Sequence, residues 1–241
     1  MSGAGKLYGV GVGPGDPDLL TKRAIDVLAQ VAVVSFPKTQ SGRSMAFDIA
    51  KMYIPNGVDL LPYELPMRPE RAPAQRAYDA AAGAIAARLD DGQSVAVLCE
   101  GDPYYYGSFM YLDQRLGAQF EVEIVPGITS LTAAAAQLGR PLAARRDRLK
   151  VLPAMLARDV LRKELSGTEA AAIIKIGRYF DTVREVLDEL QLSDRAYVVS
   201  HATLPQQQID RLDRLPAGES RYFSTILVYA GDEPFHRERQ S

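Results

Sequence analysis

Short apolar runs alternate with amphipathic stretches along the first half of the chain. Residues 6–12, 31–34 and 94–98 have the apolar composition of strands buried in a parallel sheet. The order strand, helix, strand with short connections predicts a right-handed βαβ start. We predict helices at 18–30, 41–53 and 74–89, strands at 58–61 and 121–125, a helix opening at 126–130 and running to 138, and an irregular proline-rich loop at 62–73.

A second alternation of elements follows the breakers Gly139-Arg140-Pro141, which suggest an inter-domain region. The predicted strands are 150–152, 171–176, 196–199 and 222–229, and the helix is 181–190. Because the chain has 241 residues, it fits two domains of about 100 to 150 residues better than one. We predict an α/β fold of two α/β domains with a ligand cleft between them, at 1–126 and 127–231, and a polar tail at 232–241.

The stretch from Cys99 to Gly107 is the central motif of the sequence, because it directly follows a predicted buried strand. Loops of this kind lie at the carboxyl edge of a parallel sheet, where open α/β sheets bind ligands. Asp102 is a good N-cap and Pro103 suits the first helical position, so a helix start is predicted here. The same turn occurs earlier as Gly15-Asp16-Pro17, and two such turns suggest that two loops converge on one crevice.

Several other positions could bind a ligand at strand or helix ends. Thr129 and Ser130 open a helix whose free N–H groups could bind an anion or could merely be capped. Gly177 and His201 each follow a predicted strand, although a lone histidine there is more often a capping residue. The basic run Arg140, Arg145, Arg146, Arg148 and Lys150 could be solvated surface, or it could receive a ligand with several carboxylates.

Three familiar sites can be excluded from the motifs. The glycines at 9, 11, 13 and 15 are not followed by an acidic residue at the end of the second strand, as a dinucleotide site requires. Gly5-Lys6 precedes the first strand, whereas a phosphate-binding P-loop follows one. The sequence also contains no nucleophile elbow and no recognisable carboxylate pair, which argues against a hydrolase.

Composition narrows the class of protein further. A net charge of −2 and a pI near 5.8 argue against nonspecific nucleic-acid binding. One cysteine excludes internal disulfides, and with two histidines no cysteine/histidine metal cluster is expected. Since no segment has the length of a membrane span or the pattern of a signal peptide, we expect a cytoplasmic protein without a membrane partner.

Three motifs together resemble one enzyme family. Gly11-Val12-Gly13-Pro14-Gly15-Asp16, Glu100-Gly101-Asp102-Pro103 and Pro126-Gly127-Ile128-Thr129-Ser130, in this order and spacing, are similar to those of the tetrapyrrole methylases. These are S-adenosylmethionine-dependent enzymes of cobalamin and sirohaem synthesis, and the resemblance covers residues 6–230. Residues 99–112 and 222–227 are most similar to members that methylate precorrin-2 at its C-20 meso carbon.

The resemblance implies a cofactor, a substrate and their sites. S-adenosylmethionine would lie folded between the domains and leave as S-adenosylhomocysteine. The positions that match the family's cofactor site are Pro14, Gly101, Asp102, Tyr105, Thr129, Ser130, Ile176 and Ala202, with Glu100 and His201 beside them. The substrate is expected to be the tetrapyrrole precorrin-2, its carboxylates held by Arg145 or Arg146 with Lys38 and Arg43. A homodimer is also expected.

The predicted chemistry does not require a catalytic dyad. A sulfonium methyl group is already activated, so proximity and orientation can carry the transfer. Glu100, Tyr104, Tyr105 and Tyr106 are the candidates for assisting proton loss. The alternatives are cobalt-factor II as the substrate, another tetrapyrrole methylase activity, a related methylase acting on protein or ribosomal RNA, and a tetrapyrrole carrier without chemistry.

Overall fold

The computed structural model describes residues 4–66, 71–216 and 223–232. The chain divides into two compact units, the first ending at Thr129 and the second beginning at Ser130. The predicted boundary at 126/127 lies three residues before this division. Gly139-Arg140-Pro141, the predicted inter-domain region, lies within the second unit. The predicted tail lies outside the described residues from position 233 onward.

The first unit is built on a sheet of five parallel strands. In chain order the strands are β1 (Leu7–Gly11), β2 (Val33–Lys38), β3 (Asp59–Glu64), β4 (Val95–Cys99) and β5 (Val122–Val125). Their order across the sheet is β3-β2-β4-β1-β5. Because β4 lies at the centre with a strand on each side and helices over both faces, all five of its residues are buried.

Helices cover both faces of this sheet. They are α1 (Lys22–Leu28), α2 (Met45–Ala50), α3 (Arg71–Asp90) and α4 (Phe109–Leu116). The alternation of side chains along β4 divides the core in two. Ala96 and Leu98 pack with residues of α1 and α2, whereas Val95, Val97 and Cys99 pack with residues of α3 and α4.

Two predictions for this unit were wrong at their boundaries. The helix predicted to start at Pro103 starts at Phe109, and residues 103–106 form bends instead. An aspartate before a proline is equally favourable in an Asx turn, so the local signal did not distinguish the two structures. The loop predicted from residue 62 begins later, because β3 continues through Pro62 to Glu64 as an edge strand, where a missing N–H is tolerated.

The second unit contains a mixed five-stranded sheet. Its strands are β6 (Leu149–Pro153), β7 (Ala170–Ile174), β8 (Ala196–Ser200), β9 (Gln208–Arg211) and β10 (Ser224–Tyr229), in the order β6-β7-β10-β8-β9. β6 and β7 are parallel, and β10 is antiparallel to both of its neighbours, β7 and β8. β6, β7 and β8 therefore run in the same direction, and their carboxyl ends lie at one edge.

The described part of the second unit also contains three α-helices, α5 (Ser130–Leu138), α6 (Arg158–Leu165) and α7 (Phe180–Glu189). α6 and α7 pack on one sheet face, where Ile226 and Val228 of β10 enter the core with Leu161 and Phe180. α5 packs against β10 and β8. The sequence did not indicate α6 or β9, because α6 buries only two of its residues and β9 is a short, polar edge strand.

Candidate functional site

The carboxyl ends of β4 and β1 form a topological switch point. The chain leaves β1 through α1 on one face of the sheet and leaves β4 through α4 on the opposite face. Two adjacent loops that depart in opposite directions open a crevice between them, which is where open α/β sheets bind ligands. The loops predicted from sequence to converge do lie side by side here.

Backbone hydrogen bonds hold these two loops together. The N–H of Gly101 donates to the Gly13 carbonyl oxygen at 2.8 Å, and the N–H of Gly13 donates back to Gly101 at 3.3 Å. Both glycines have positive φ, +80° for Gly13 and +67° for Gly101, a region that favours glycine over residues with a Cβ. The loops therefore form a short ladder beyond the end of the sheet.

The loop after β5 joins the same contact through two further glycines. A Cβ on Gly11 would lie 2.6 Å from the Gly101 carbonyl oxygen and 2.6 Å from the Gly127 nitrogen. A Cβ on Gly127 would overlap the Gly101 carbonyl oxygen. Three loops can thus cross at backbone distance only because glycine occupies both positions. We call Gly11, Gly13, Gly101 and Gly127 the glycine junction.

The Asp102 carboxylate ties the junction together. Its Oδ1 accepts hydrogen bonds from the N–H groups of Tyr104 at 2.9 Å and Tyr105 at 3.0 Å, which makes an Asx turn. Its Oδ2 accepts a bond from the N–H of Gly127 at 3.1 Å. The side chain therefore fixes the 100–108 loop and links it to the loop after β5, rather than capping α4.

The four candidates for a proton acceptor differ in their surroundings. The Tyr104 hydroxyl donates to Asp113 at 2.6 Å, and this bond raises the pKa of Tyr104 to about 12. Tyr105 packs edge-on against Tyr106, and its hydroxyl is buried without a hydrogen-bond partner among the described residues. Glu100 remains accessible to solvent but is surrounded by enough protein that desolvation raises the pKa of its carboxyl group.

A group of buried hydroxyl and thiol side chains lies beneath this loop. Burial raises the pKa of the Cys99 thiol to about 12 and that of Tyr78 also to about 12, and it raises the pKa of Tyr63 well above its ordinary value. All three side chains are consequently protonated near neutral pH, and none of them can serve as a base there. Glu100 is the one carboxyl group among the four candidates, and it lies exposed directly after β4.

The other predicted residues of the first unit lie on the same loops. Pro14 is half-buried in the loop after β1, and Asp16 caps the following turn by accepting a bond from the N–H of Asp18 at 2.9 Å. Thr129 ends the loop after β5, and Ser130 is the first residue of α5 in the second unit. Pro14, Gly101, Asp102, Tyr105 and Thr129 are thus gathered at one sheet edge.

The second unit carries a repeated backbone feature at the carboxyl ends of β7 and β8. Lys175 and His201 directly follow these strands with φ of +57° and +50°, and each precedes a buried residue, Ile176 or Ala202. Non-glycine residues in this region are strained, and such strain concentrates at functional sites. The N–H of His201 bonds the Phe223 carbonyl oxygen at 2.7 Å, which places the start of β10 at this edge.

The predicted basic residues are divided between the two units. Lys38 ends β2 at the carboxyl edge of the first sheet, and Arg43 follows in the next loop; neither side chain has an ion-pair partner within the described ranges. Arg145 and Arg146 lie in a turn closed by Asp147, whose carboxylate accepts a bond from the Tyr229 hydroxyl at 2.8 Å. Tyr229 ends β10, so this turn lies at the amino edge of β6, opposite Ile176 and Ala202.

A shallow depression of about 400 Å³ lies at the end of α5 and is lined by Thr132, Ala135, Ala136, Gly139, Arg140, Pro141 and Leu142. It contains Arg140 of the predicted basic run and none of the residues predicted for the cofactor site. In the part of the chain that the structure describes, no three acidic, histidine or cysteine side chains are grouped to hold a metal ion. No described helix is long and apolar enough to cross a membrane.

Comparison with known proteins decides the family. The model of the Tetrapyrrole (Corrin/Porphyrin) Methylases matches residues 6–214, which include every loop of the glycine junction. The chain belongs to this family. Tetrapyrrole methylases are S-adenosylmethionine-dependent methyltransferases, and the resemblance inferred from the three motifs is thereby confirmed.

Individual tetrapyrrole methylases resemble this one over nearly their whole length. The Precorrin-2 C(20)-methyltransferase of Sinorhizobium sp is 37% identical over 94% of this chain and 96% of its own. The Cobalt-precorrin-2 C(20)-methyltransferase of Salmonella typhimurium is 32% identical over 93% and 96%. A solved cobalt precorrin-4 methyltransferase has a TM-score of 0.71 at 25% identity and covers 93% of this chain and 94% of its own. The predicted two-domain α/β fold is confirmed.

Sequence reasoning missed the role of Gly11 and Gly127, which it quoted only as motif letters. Glycine is required at these two positions because three loops that are distant in sequence contact one another there. The sequence of a single loop therefore does not reveal the requirement. The available signal was the position of each glycine at the end of a predicted strand. Such a position is a common place for close backbone approach.

Proposed function

We propose that this tetrapyrrole methylase transfers a methyl group from S-adenosylmethionine to the C-20 meso carbon of precorrin-2 in cobalamin biosynthesis. The carrying observation is the glycine junction at the switch point, within a chain that is similar over 94% of its length to a precorrin-2 C(20)-methyltransferase. The closeness of the cobalt-precorrin-2 relative makes cobalt-factor II the second candidate substrate. A cytoplasmic homodimer is part of the same proposal.

The residues at the junction fit the cofactor. Backbone at the end of a parallel strand can approach an adenosyl or amino-acid group closely when the residue there is glycine. Gly101 leaves such space, because a Cβ built on it meets no described atom nearer than 3.9 Å. The buried Tyr105 hydroxyl has no hydrogen-bond partner in the described structure, so a polar group of the ligand can satisfy it.

The residues proposed for the cofactor site are Pro14, Glu100, Gly101, Asp102, Tyr105, Thr129, Ser130, Ile176, His201 and Ala202. Their roles differ. Gly101 and Tyr105 would contact the ligand, whereas Asp102 acts through the backbone groups that it holds. Ile176 and Ala202 offer buried apolar surface at the carboxyl edge of the second sheet.

The bound cofactor supplies a methyl group on a positively charged sulfur that a carbon nucleophile can attack. Orienting the electron-rich ring is then the main task of the protein, and a well-placed pair of reactants is worth up to about 7–11 kcal/mol of the barrier. We assign to Glu100 the acceptance of the proton that C-20 loses once the new carbon–carbon bond has formed. Its carboxyl group is exposed at this edge, directly after β4 and beside Gly101.

Lys38 and Arg43 are proposed to bind carboxylates at the rim of the ring. Both lie on the carboxyl side of β2, at the same edge as the glycine junction. Arg145 and Arg146 remain sequence predictions for the same role, although they lie at the other edge of the second sheet from Ile176 and Ala202.

The test is an anaerobic assay of the purified protein with radiolabelled S-adenosylmethionine and either precorrin-2 or cobalt-factor II. Label on C-20 of precorrin-2, located by NMR, supports the proposal. Label on C-20 of the cobalt ring alone establishes the second candidate. Label at another ring position, or ring binding without any transfer, contradicts both.

A further inference from the structure

The carboxyl edge of the second sheet carries a cation that sequence reasoning did not select. Arg178 lies in the loop after β7, in a 3₁₀ turn over Gly177–Tyr179 that leads into α7. It is exposed and forms no ion pair with any carboxylate that the structure describes. Other arginines of the second unit, such as Arg148 with Glu169 and Arg211 with Asp213, are engaged in ion pairs.

The Arg178 guanidinium is held in a defined place. It lies over the Tyr179 ring at 5.1 Å from the ring centre, and one of its nitrogens donates to the Tyr179 hydroxyl at 2.9 Å. Tyr179 is itself packed against the core of the second unit. An arginine stacked in this way keeps N–H groups available at its edge and loses little further freedom when an anion binds.

The backbone around Arg178 marks the same edge. Lys175, three residues earlier, is exposed and adopts φ of +57°, and Gly177 has φ of +38°. The sequence around Arg178 thus places two cationic side chains on either side of Ile176, a proposed cofactor residue. Arg145 and Arg146 lie instead at the amino edge of the second sheet. The strands separate this edge from the carboxyl edge by about 15 Å, at roughly 3.3 Å per residue.

We propose that Arg178, positioned on Tyr179 and assisted by Lys175, binds a peripheral carboxylate of the tetrapyrrole substrate. A ring with several acidic side chains needs cations at more than one point of its rim, and the planar guanidinium matches a carboxylate with two parallel hydrogen bonds. This inference rests on the proposed function and assigns to Arg178 a contact with the ring at the carboxyl edge of the second sheet.

The test compares Arg178→Ala with Arg195→Ala, a matched control that directly precedes β8 at the opposite edge. Both arginines are exposed and have no ion-pair partner within the described ranges. We expect Arg178→Ala to weaken precorrin-2 binding about fivefold, as suits one exposed charged contact. S-adenosylhomocysteine affinity and melting temperature should stay unchanged, and Arg195→Ala should bind the ring like wild type. Arg178→Lys should recover part of the loss.

Ring binding is measured by anaerobic absorbance titration, and KM and kcat separately by methyl transfer. If wild type binds the ring but transfers no methyl group, the proposed function fails while the titration still tests Arg178. Wild-type ring affinity in Arg178→Ala overturns the inference. So does an equal loss in both alanine variants, since that would reflect overall charge alone.

Discussion

At the scale of single residues, Asp102 shows that a residue can be singled out correctly from sequence although one of its predicted roles, the helix N-cap, is wrong. Sequence reasoning predicted an N-cap worth about 1 kcal/mol and a direct part in binding the cofactor. The structure gives the carboxylate three backbone N–H donors on two loops. The aspartate was identifiable from its position after a strand, but its partner Gly127, 25 residues away, was not, because no local pattern encodes that contact.

We predict different outcomes for Asp102→Ala and Asp102→Asn. Alanine leaves all three donors without their acceptor, and we expect the free energy of unfolding to fall by about 2 kcal/mol. Asparagine has one acceptor oxygen, so in either orientation it keeps only the turn or only the Gly127 bond, and we expect about half that loss. Turnover per folded molecule should fall in both variants, by about a hundredfold if the loop shifts by about 1 Å.

Urea denaturation and methyl transfer on the same samples check this prediction. Asparagine preserves the size of the side chain, so it serves as the control for packing. If Asp102→Asn has wild-type stability and turnover, the hydrogen bonds of the Asp102 carboxylate contribute to neither. A stability loss with unchanged turnover would make them purely structural.

Glu100 leads to a prediction about pH. Desolvation raises its pKa in the folded protein, so the carboxylate is the disfavoured form and its cost to stability appears as pH rises through that pKa. Glu100→Gln should therefore be at least as stable as wild type at neutral pH. If the carboxylate accepts the C-20 proton, turnover should fall about a hundredfold in this variant, and the acidic limb of the pH profile should disappear.

The matched control for Glu100 is Tyr104→Phe. It removes a neighbouring hydroxyl that is already bonded to Asp113, so it should leave the limb in place. Steady-state rates from pH 5 to 9 in both variants decide the matter. Retention of the wild-type profile in Glu100→Gln would remove Glu100 from the chemistry.

At the scale of elements, the strands other than β9 and the helices other than α6 were predictable, because the spacing of their apolar residues indicates them. The start of α4 was not predictable, since an Asp-Pro pair suits both a helix start and the Asx turn that the structure contains. β10 was predicted as a strand, but its antiparallel place between β7 and β8 was not. That order follows from long-range pairing, and it decides which loops share an edge.

A comparison of two glycine-to-alanine substitutions tests whether the glycine junction holds β1, β4 and β5 together. One substitution is at the junction, and the other is on a helix surface. Gly11→Ala places a methyl group 2.6 Å from backbone atoms of two other loops, so β1, β4 and β5 can no longer meet as they do. We expect a loss of about 3 kcal/mol in stability, in the range for overpacking, together with loss of S-adenosylhomocysteine binding. In Gly83→Ala the new methyl group, on an exposed face of α3, meets no described atom within 4 Å.

Gly83→Ala should gain up to about 1 kcal/mol from helix propensity and bind the ligand normally. Denaturant melts and isothermal calorimetry on both variants provide the measurement. If Gly11→Ala melts and binds like wild type, the close approach of the three loops is not required. The opposite signs expected for one chemical change separate packing at the junction from the general effect of replacing glycine.

At the scale of the whole molecule, the distribution of cations over the two sheets follows from topology, not from composition. A net charge of −2 says nothing about where free cations lie. The run from Arg140 to Lys150 drew attention because it is dense in sequence, yet its members lie at the amino edge of β6 or bond to neighbours such as Glu169 and Tyr197. Arg178 lies outside that run and is located at the carboxyl edge of the second sheet.

The single cysteine offers a test of ligand binding by the intact protein. Cys99 is the last residue of β4, 2% exposed, and burial raises its pKa to about 12, so the folded protein should resist iodoacetamide. Labelling then requires opening of the first unit. A ligand that binds only the closed form at 100 times its Kd stabilises that form by about 2.7 kcal/mol and should slow labelling about a hundredfold.

S-adenosylhomocysteine should slow the labelling of Cys99 strongly in wild type and only weakly in Gly11→Ala. The labelling is carried out in mild denaturant, and its rate is measured by mass spectrometry. Free glutathione in the same mixture is the control, since its alkylation must not change. Rapid labelling of the native protein would contradict the burial of Cys99. A labelling rate that is independent of ligand would instead mean that the ligand binds away from the glycine junction, because a molecule seated on that edge must leave before β4 can open.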